Sequence, residues 1–137
     1  MKYFTIEELC KTSHKVDNKP NEEQKANMEY LINNILDKAR ETLGMPIKVT
    51  SGFRSIELNK KVGGAANSQH TKGEAADLTC YDNKKLFNIL KKLGGFDQLI
   101  NEFNYSWIHV SVKRNGENKN EVLTATKING KTTYIRG

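Results

Sequence analysis

Trp107-Ile108-His109-Val110-Ser111 reads as a β-strand with one face in a core and the other in a cleft. Successive side chains on a strand point to opposite faces, so Ile108 and Val110 share one side and His109 takes the other. A histidine set against two apolar neighbours in this way faces a cleft or solvent. Just upstream, Gln98 to Glu102 is a second short strand. If the two pair antiparallel, the connection centred on Asn104 brings Glu102 alongside the His109 region. Ala75 to Thr79 and Ile47 to Thr50 have the same short β character, and Glu121 to Ile135 reads as a hairpin turning at Asn129-Gly130.

The helices come earlier. Thr5 followed by Glu8 reads as a capping box for a short helix through about Lys11, and Thr12 to Pro20 is polar loop. Asn21 with Gln24 opens a second helix. Met28, Leu31, Ile32, Ile35, Ala39 and Leu43 then recur at three- and four-residue steps, the best amphipathic pattern in the chain. Gly44 and Pro46 stop it, as a left-handed cap and a breaker. A turn over Ser51 to Ser55, a brief helix over Ile56 to Val62 and a loop from Gly63 to Gly73 follow. Leu86, Phe87, Leu90 and Leu93 mark another helix, ended by Gly94-Gly95. The expected fold is α+β: a single domain over 1–137, with helices packed on a mostly antiparallel sheet.

A chain of 137 residues can bury one sizeable core. Its net charge of +6 admits an anionic partner such as nucleic acid, anionic lipid or bacterial cell wall, and charge alone does not choose among them. The lysines are spread in short pairs (Lys60-Lys61, Lys84-Lys85, Lys91-Lys92), the pattern of a solvated surface rather than a nucleic-acid tail. No stretch approaches the ~20 apolar residues needed to span a bilayer. MKYFTIEEL places two glutamates where a signal peptide needs an unbroken apolar run. Cys10 and Cys80 belong to no CxxC pair, and a reduced chain is the default, although a single disulfide between them stays open.

Two of the three histidines lie beside strand-like segments rich in special residues: Ser68-Gln69-His70 precedes Gly73-Glu74-Ala75-Ala76-Asp77, and His109 follows later. Two imidazoles and one carboxylate make a three-ligand set of the catalytic zinc type, which leaves a fourth position open. Spacing alone is weak evidence for it, since a lone histidine on a strand is usually structural.

Ser51-Gly52-Phe53-Arg54-Ser55, Asn59, Val62-Gly63-Gly64, Ser68-Gln69-His70, Gly73, Ala76-Asp77 and Trp107-Ile108-His109-Val110-Ser111, in that order, resemble the zinc D-alanyl-D-alanine carboxypeptidase family. That family includes related phage and bacterial wall hydrolases. The resemblance covers about half the chain, Ile47 to Lys113. It implies a hedgehog/DD-peptidase-like fold, with His70, Asp77 and His109 as zinc ligands. It also implies that Arg54 meets the substrate's carbonyl or carboxylate. Ser68 and Gln69 are read as substrate-side residues that shape the loop rather than react. Several branches carry an acidic residue three positions before the last histidine. Here that position is Ser106, which cannot act as a comparable base at neutral pH. Glu102 is the nearest acidic residue upstream and is the candidate for that role.

The expected activity is zinc-dependent hydrolysis of peptide bonds in peptidoglycan stem or cross-bridge peptides, of the cell-wall lysin type. The expected protein is a monomer that needs neither nucleic acid nor membrane, and is cytoplasmic until released or virion-associated. Its rival is a catalytically inactive zinc-containing wall-binding module, motivated by Ser106. A nucleic-acid-binding domain would leave the His/Asp constellation unexplained.

Overall fold

The computed structural model describes residues 1–137. Its elements are α1 (Ile6–Leu9), α2 (Glu22–Leu31), a π-helical turn (Ile32–Leu36), α3 (Asp37–Leu43), β1 (Ile47–Ser51), α4 (Ile56–Lys61), a 3-10 helix (Gln69–Lys72), β2 (Ala75–Cys80), α5 (Asn83–Leu93), β3 (Gln98–Glu102), β4 (Trp107–Ser111), β5 (Glu121–Ile128) and β6 (Lys131–Arg136). The strands form one six-stranded sheet in the order β1-β2-β4-β3-β5-β6. Every pair is antiparallel except β3 with β5, which run parallel. The α+β expectation holds.

Local chemistry sets the helix ends. Asn21 and Gln24 form a reciprocal capping box at the start of α2. Gly44 ends α3 in the left-handed region, with φ 74°, where a side chain would be strained. The first helix stops at Leu9 rather than Lys11. The long amphipathic helix is interrupted by the π turn, yet Ile32, Ile35 and Leu36 within it stay buried. The 3-10 helix lies inside the stretch read as loop.

Twenty-one buried residues form one core between the helices and a single face of the sheet. Leu31, Ile32 and Leu36 meet Leu78, Leu99, Ile108 and Val110 there, all of them inaccessible to solvent. Each such side chain contributes about 1.5–3 kcal/mol by burial. Exposed ion pairs such as Lys2–Glu41, 3.7 Å apart, are worth about 0–1 kcal/mol. Burial therefore holds the fold, and it fixes which face of the sheet is left for chemistry.

Candidate metal centre and active-site cleft

With Ile108 and Val110 committed to the core, strand alternation turns His109 to the opposite face. Asp77 on β2 is its direct cross-strand partner. His109 Nδ1 lies 3.0 Å from Asp77 Oδ1, and His70 Nε2 lies 3.4 Å from the same oxygen. The ligand atoms of the three residues fall within 4.8 Å of one another. Two imidazoles and a carboxylate are a donor set suited to zinc, and they converge closely enough to share one ion. The residues present fit the metal that the sequence resemblance implies.

His70 is delivered by a different device. Ser68 caps the 3-10 helix, its hydroxyl accepting from the His70 N–H, and Gly73 closes it in the left-handed region at φ 74°. Helix α2 grips this turn from behind: Gln24 Nε2 donates to Thr71 O and Asn27 Nδ2 to Lys72 O. A Cβ on Gly73 would come within 2.6 Å of Gln24 O, so only glycine admits the approach. The carbonyl of Gly52 lies 2.7 Å from His70 Nδ1 and turns Nε2 toward Asp77.

Arg54 borders the same carboxylate, with Nη2 3.8 Å from Asp77 Oδ2. Its Nε donates to Ser51 Oγ and its Nη1 to Asn59 Oδ1, and Asn59 is itself buried and anchored to Ala65 O. A Cβ on Gly64 would collide with Asn59 Oδ1 and crowd Arg54, so the Gly63-Gly64 turn protects the guanidinium's position. Burial pushes the Asp77 carboxyl up, but the hydrogen bonds and charges of His109 and His70 outweigh it and hold it well below the usual carboxylate range.

Glu102 is mostly buried and shares the cleft with His70, Asp77 and His109. β3 and β4 do pair antiparallel, with Glu102 opposite Trp107, two residues along from the Ile100–His109 pair. Three consecutive residues in the left-handed region make the tight connection: Phe103, Asn104 and Tyr105, at φ 49°, 56° and 61°. Ser106 ends it, its hydroxyl donating to Phe103 O. Burial pushes the Glu102 carboxyl above its ordinary value; His109 draws it down and Asp77 adds to the rise.

A cavity of about 700 Å³ takes in Arg54, Ser68, Gln69, His70, Asp77, Glu102 and His109, every site residue that the sequence nominated. Chain comparison places this arrangement. The Peptidase M15 family model matches residues 2–111. The chain belongs to the peptidase M15 family. Within this M15 chain, a stretch of 44 residues is 52% identical to the zinc D-Ala-D-Ala carboxypeptidase of Streptomyces albus G. That stretch spans 31% of this chain and 17% of the relative. Membership of a peptidase family, the match to a zinc enzyme and the His/Asp/His cluster together bear out the expectations of a metallopeptidase and of zinc as its metal.

Sequence reading missed one wall of the M15 cleft. Leu123, Thr132 and Tyr134, on β5 and β6, also line the cavity. Tyr134 arrives there because it pairs with Ala125, which pairs with Glu102. The hairpin is legible from its Asn129-Gly130 turn, but the parallel register that lays it beside β3 is non-local. No helix of the chain is long and apolar enough to cross a membrane.

Proposed function

We propose that this protein is a zinc-dependent hydrolase of peptide bonds in peptidoglycan stem or cross-bridge peptides, of the lysin type. The observation that carries the reading is the convergence of His70, Asp77 and His109 with Arg54 and Glu102 in one cleft. The matched relative is named as a D-Ala-D-Ala carboxypeptidase, which supports a wall peptide as the substrate class.

His70, Asp77 and His109 would hold the zinc. Bound there, the metal would supply Lewis acidity toward a carbonyl oxygen and make water acidic enough to ionise near neutral pH. The chain's own residues do the rest. Arg54 presents a rigid, planar donor fork toward the reacting carbonyl or a terminal carboxylate. Glu102 takes a proton from the attacking water and returns it to the leaving amine.

Zinc-loaded protein incubated with purified sacculi should release fragments whose masses, read by mass spectrometry, show newly hydrolysed peptide bonds. A protein that holds about one equivalent of zinc and binds sacculi without cutting them would instead be the non-catalytic wall-binding module. Arg54→Lys should keep the metal and lower kcat/KM by about tenfold or more, since a lysine cannot reproduce the fork. Full activity in that variant would confine Arg54 to bracing Asp77 and Asn59.

A further inference from the structure

The amide of Gln69 lies between His109 and a buried carboxylate that the proposed reaction does not use. His109 Nε2 is 3.0 Å from Gln69 Oε1, and Gln69 Nε2 lies 3.4 Å from Asp97 Oδ2. Asp97 is 4% exposed. Its Oδ1 accepts from the Lys119 N–H, and Lys113 Nζ stands 3.9 Å from Oδ2. Its partners are those of an acceptor, and a carboxylate can only accept.

That constraint propagates. The amide's NH₂ must face Asp97, so its carbonyl oxygen must face His109. A carbonyl oxygen can only accept, so His109 Nε2 must carry a hydrogen. In the neutral ring that binds a metal Nδ1 is then the bare nitrogen, and Nδ1 is the atom that points at Asp77, its hydrogen-bond partner when no ion lies between them. The assignment follows from the network of donors and acceptors, the ordinary basis for amide and imidazole orientation. His70 is set the opposite way, its Nδ1 held by the Gly52 carbonyl and its Nε2 left for the site. The two histidines thus offer different ring nitrogens, each selected by its own anchor.

We propose that Gln69, held by Asp97, is a positioning residue that locks His109 in the Nε2–H tautomer and presents Nδ1 to the metal. The proposal rests on the metal-centre reading above and gives Gln69 a role toward the ligand rather than the substrate. Both ends of its amide are engaged by protein groups, although the side chain borders the cleft.

The first test needs no variant. Imidazole ¹⁵N spectra of the zinc-loaded protein should show His109 protonated at Nε2 and His70 at Nδ1. A His109 ring protonated at Nδ1 overturns the proposal. The second test is zinc affinity, measured by competition with a chromophoric chelator. Gln69→Ala and the bulkier Gln69→Leu should both weaken binding by about 10–100-fold, the usual effect of losing a ligand's outer partner. Asp97→Asn, whose amide no longer dictates Gln69's orientation, should weaken it by less and broaden the His109 signals. Wild-type zinc affinity in both Gln69 variants, with reduced hydrolysis, would make Gln69 a substrate contact and sink the positioning role. If wild-type protein itself binds no zinc, the metal-centre reading fails first and takes this one with it. Circular dichroism on each variant separates either result from unfolding.

Discussion

Asp77→Ala is expected to release the metal and reduce peptide hydrolysis to background while leaving the fold in place. Asp77 is the hub of the centre: one oxygen faces both histidines, at 3.0 and 3.4 Å, and the other faces Arg54 at 3.8 Å. Without it the centre keeps two imidazoles, short of the three protein ligands a catalytic zinc site uses. Losing only an outer partner costs about 10–100-fold in metal affinity, so losing a ligand should cost more. The core lies on the other face of the sheet, so the far-ultraviolet spectrum should be retained. Elemental analysis and the sacculus assay, run on one preparation, measure both effects. One retained equivalent of zinc with near-normal turnover would move the metal elsewhere. Asp77 also sets a direction for acid stability in the metal-free protein. Its folded pKa lies below its unfolded value. Its stabilising contribution is therefore complete above about pH 3.9, the ordinary aspartate value, and is lost as pH falls through the folded pKa. An Asp77→Asn protein should lack that acid-side loss.

Glu102→Gln should retain zinc and lower turnover by about 10²–10⁴-fold, the range for removing a general acid–base group. The substitution keeps size and hydrogen-bonding capacity and removes only basicity. A fall of less than about threefold, far outside that range, would assign proton handling to another group. The pH dependence gives a second reading. Burial first, then Asp77, raises the Glu102 pKa above 4.5, and His109 only partly offsets them. A bound zinc would draw the carboxyl back down, so the test in the loaded enzyme is the presence of an acidic limb in wild type and its loss in the variant. Stability has the opposite sign from the Asp77 case. The folded state binds the Glu102 proton more tightly than the unfolded state does, so stability falls as pH rises from 4.5 through the folded pKa. Glu102→Gln should abolish that decline.

What the sequence made legible followed from local rules. The strands around His109 and Asp77 showed as alternation, and Asn21 with Gln24 announced a capping box that the structure reproduces. The pairing of Gln98–Glu102 with Trp107–Ser111 was a conditional inference that the register bears out. The ligand set was different: its spacing was weak, and the resemblance nominated it. The 3-10 helix escaped notice because Gln69-His70-Thr71-Lys72 has no periodicity of its own. It is shaped by α2 and by Gly73, which are tertiary causes. Tyr134 escaped for the same kind of reason, since only the β3–β5 pairing brings it to the cleft. The Gln69–Asp97 link joins residues far apart in sequence through side chains, a relation that no local pattern encodes.

The grip of the N-terminal elements on the motif loops limits how the molecule can be dissected. All the short motifs of the resemblance lie between Ile47 and Lys113, and a fragment with those bounds would look sufficient on paper. Yet Gln24 and Asn27 hold the His70 turn, and the Phe53 N–H donates to Leu9 O. A Cβ on Gly52 would strike that same Leu9 carbonyl, so the two backbones interlock. The excised segment would carry every ligand and lack the scaffold that aims one of them. Grafting this centre into another protein therefore means transplanting the first helices along with the strands.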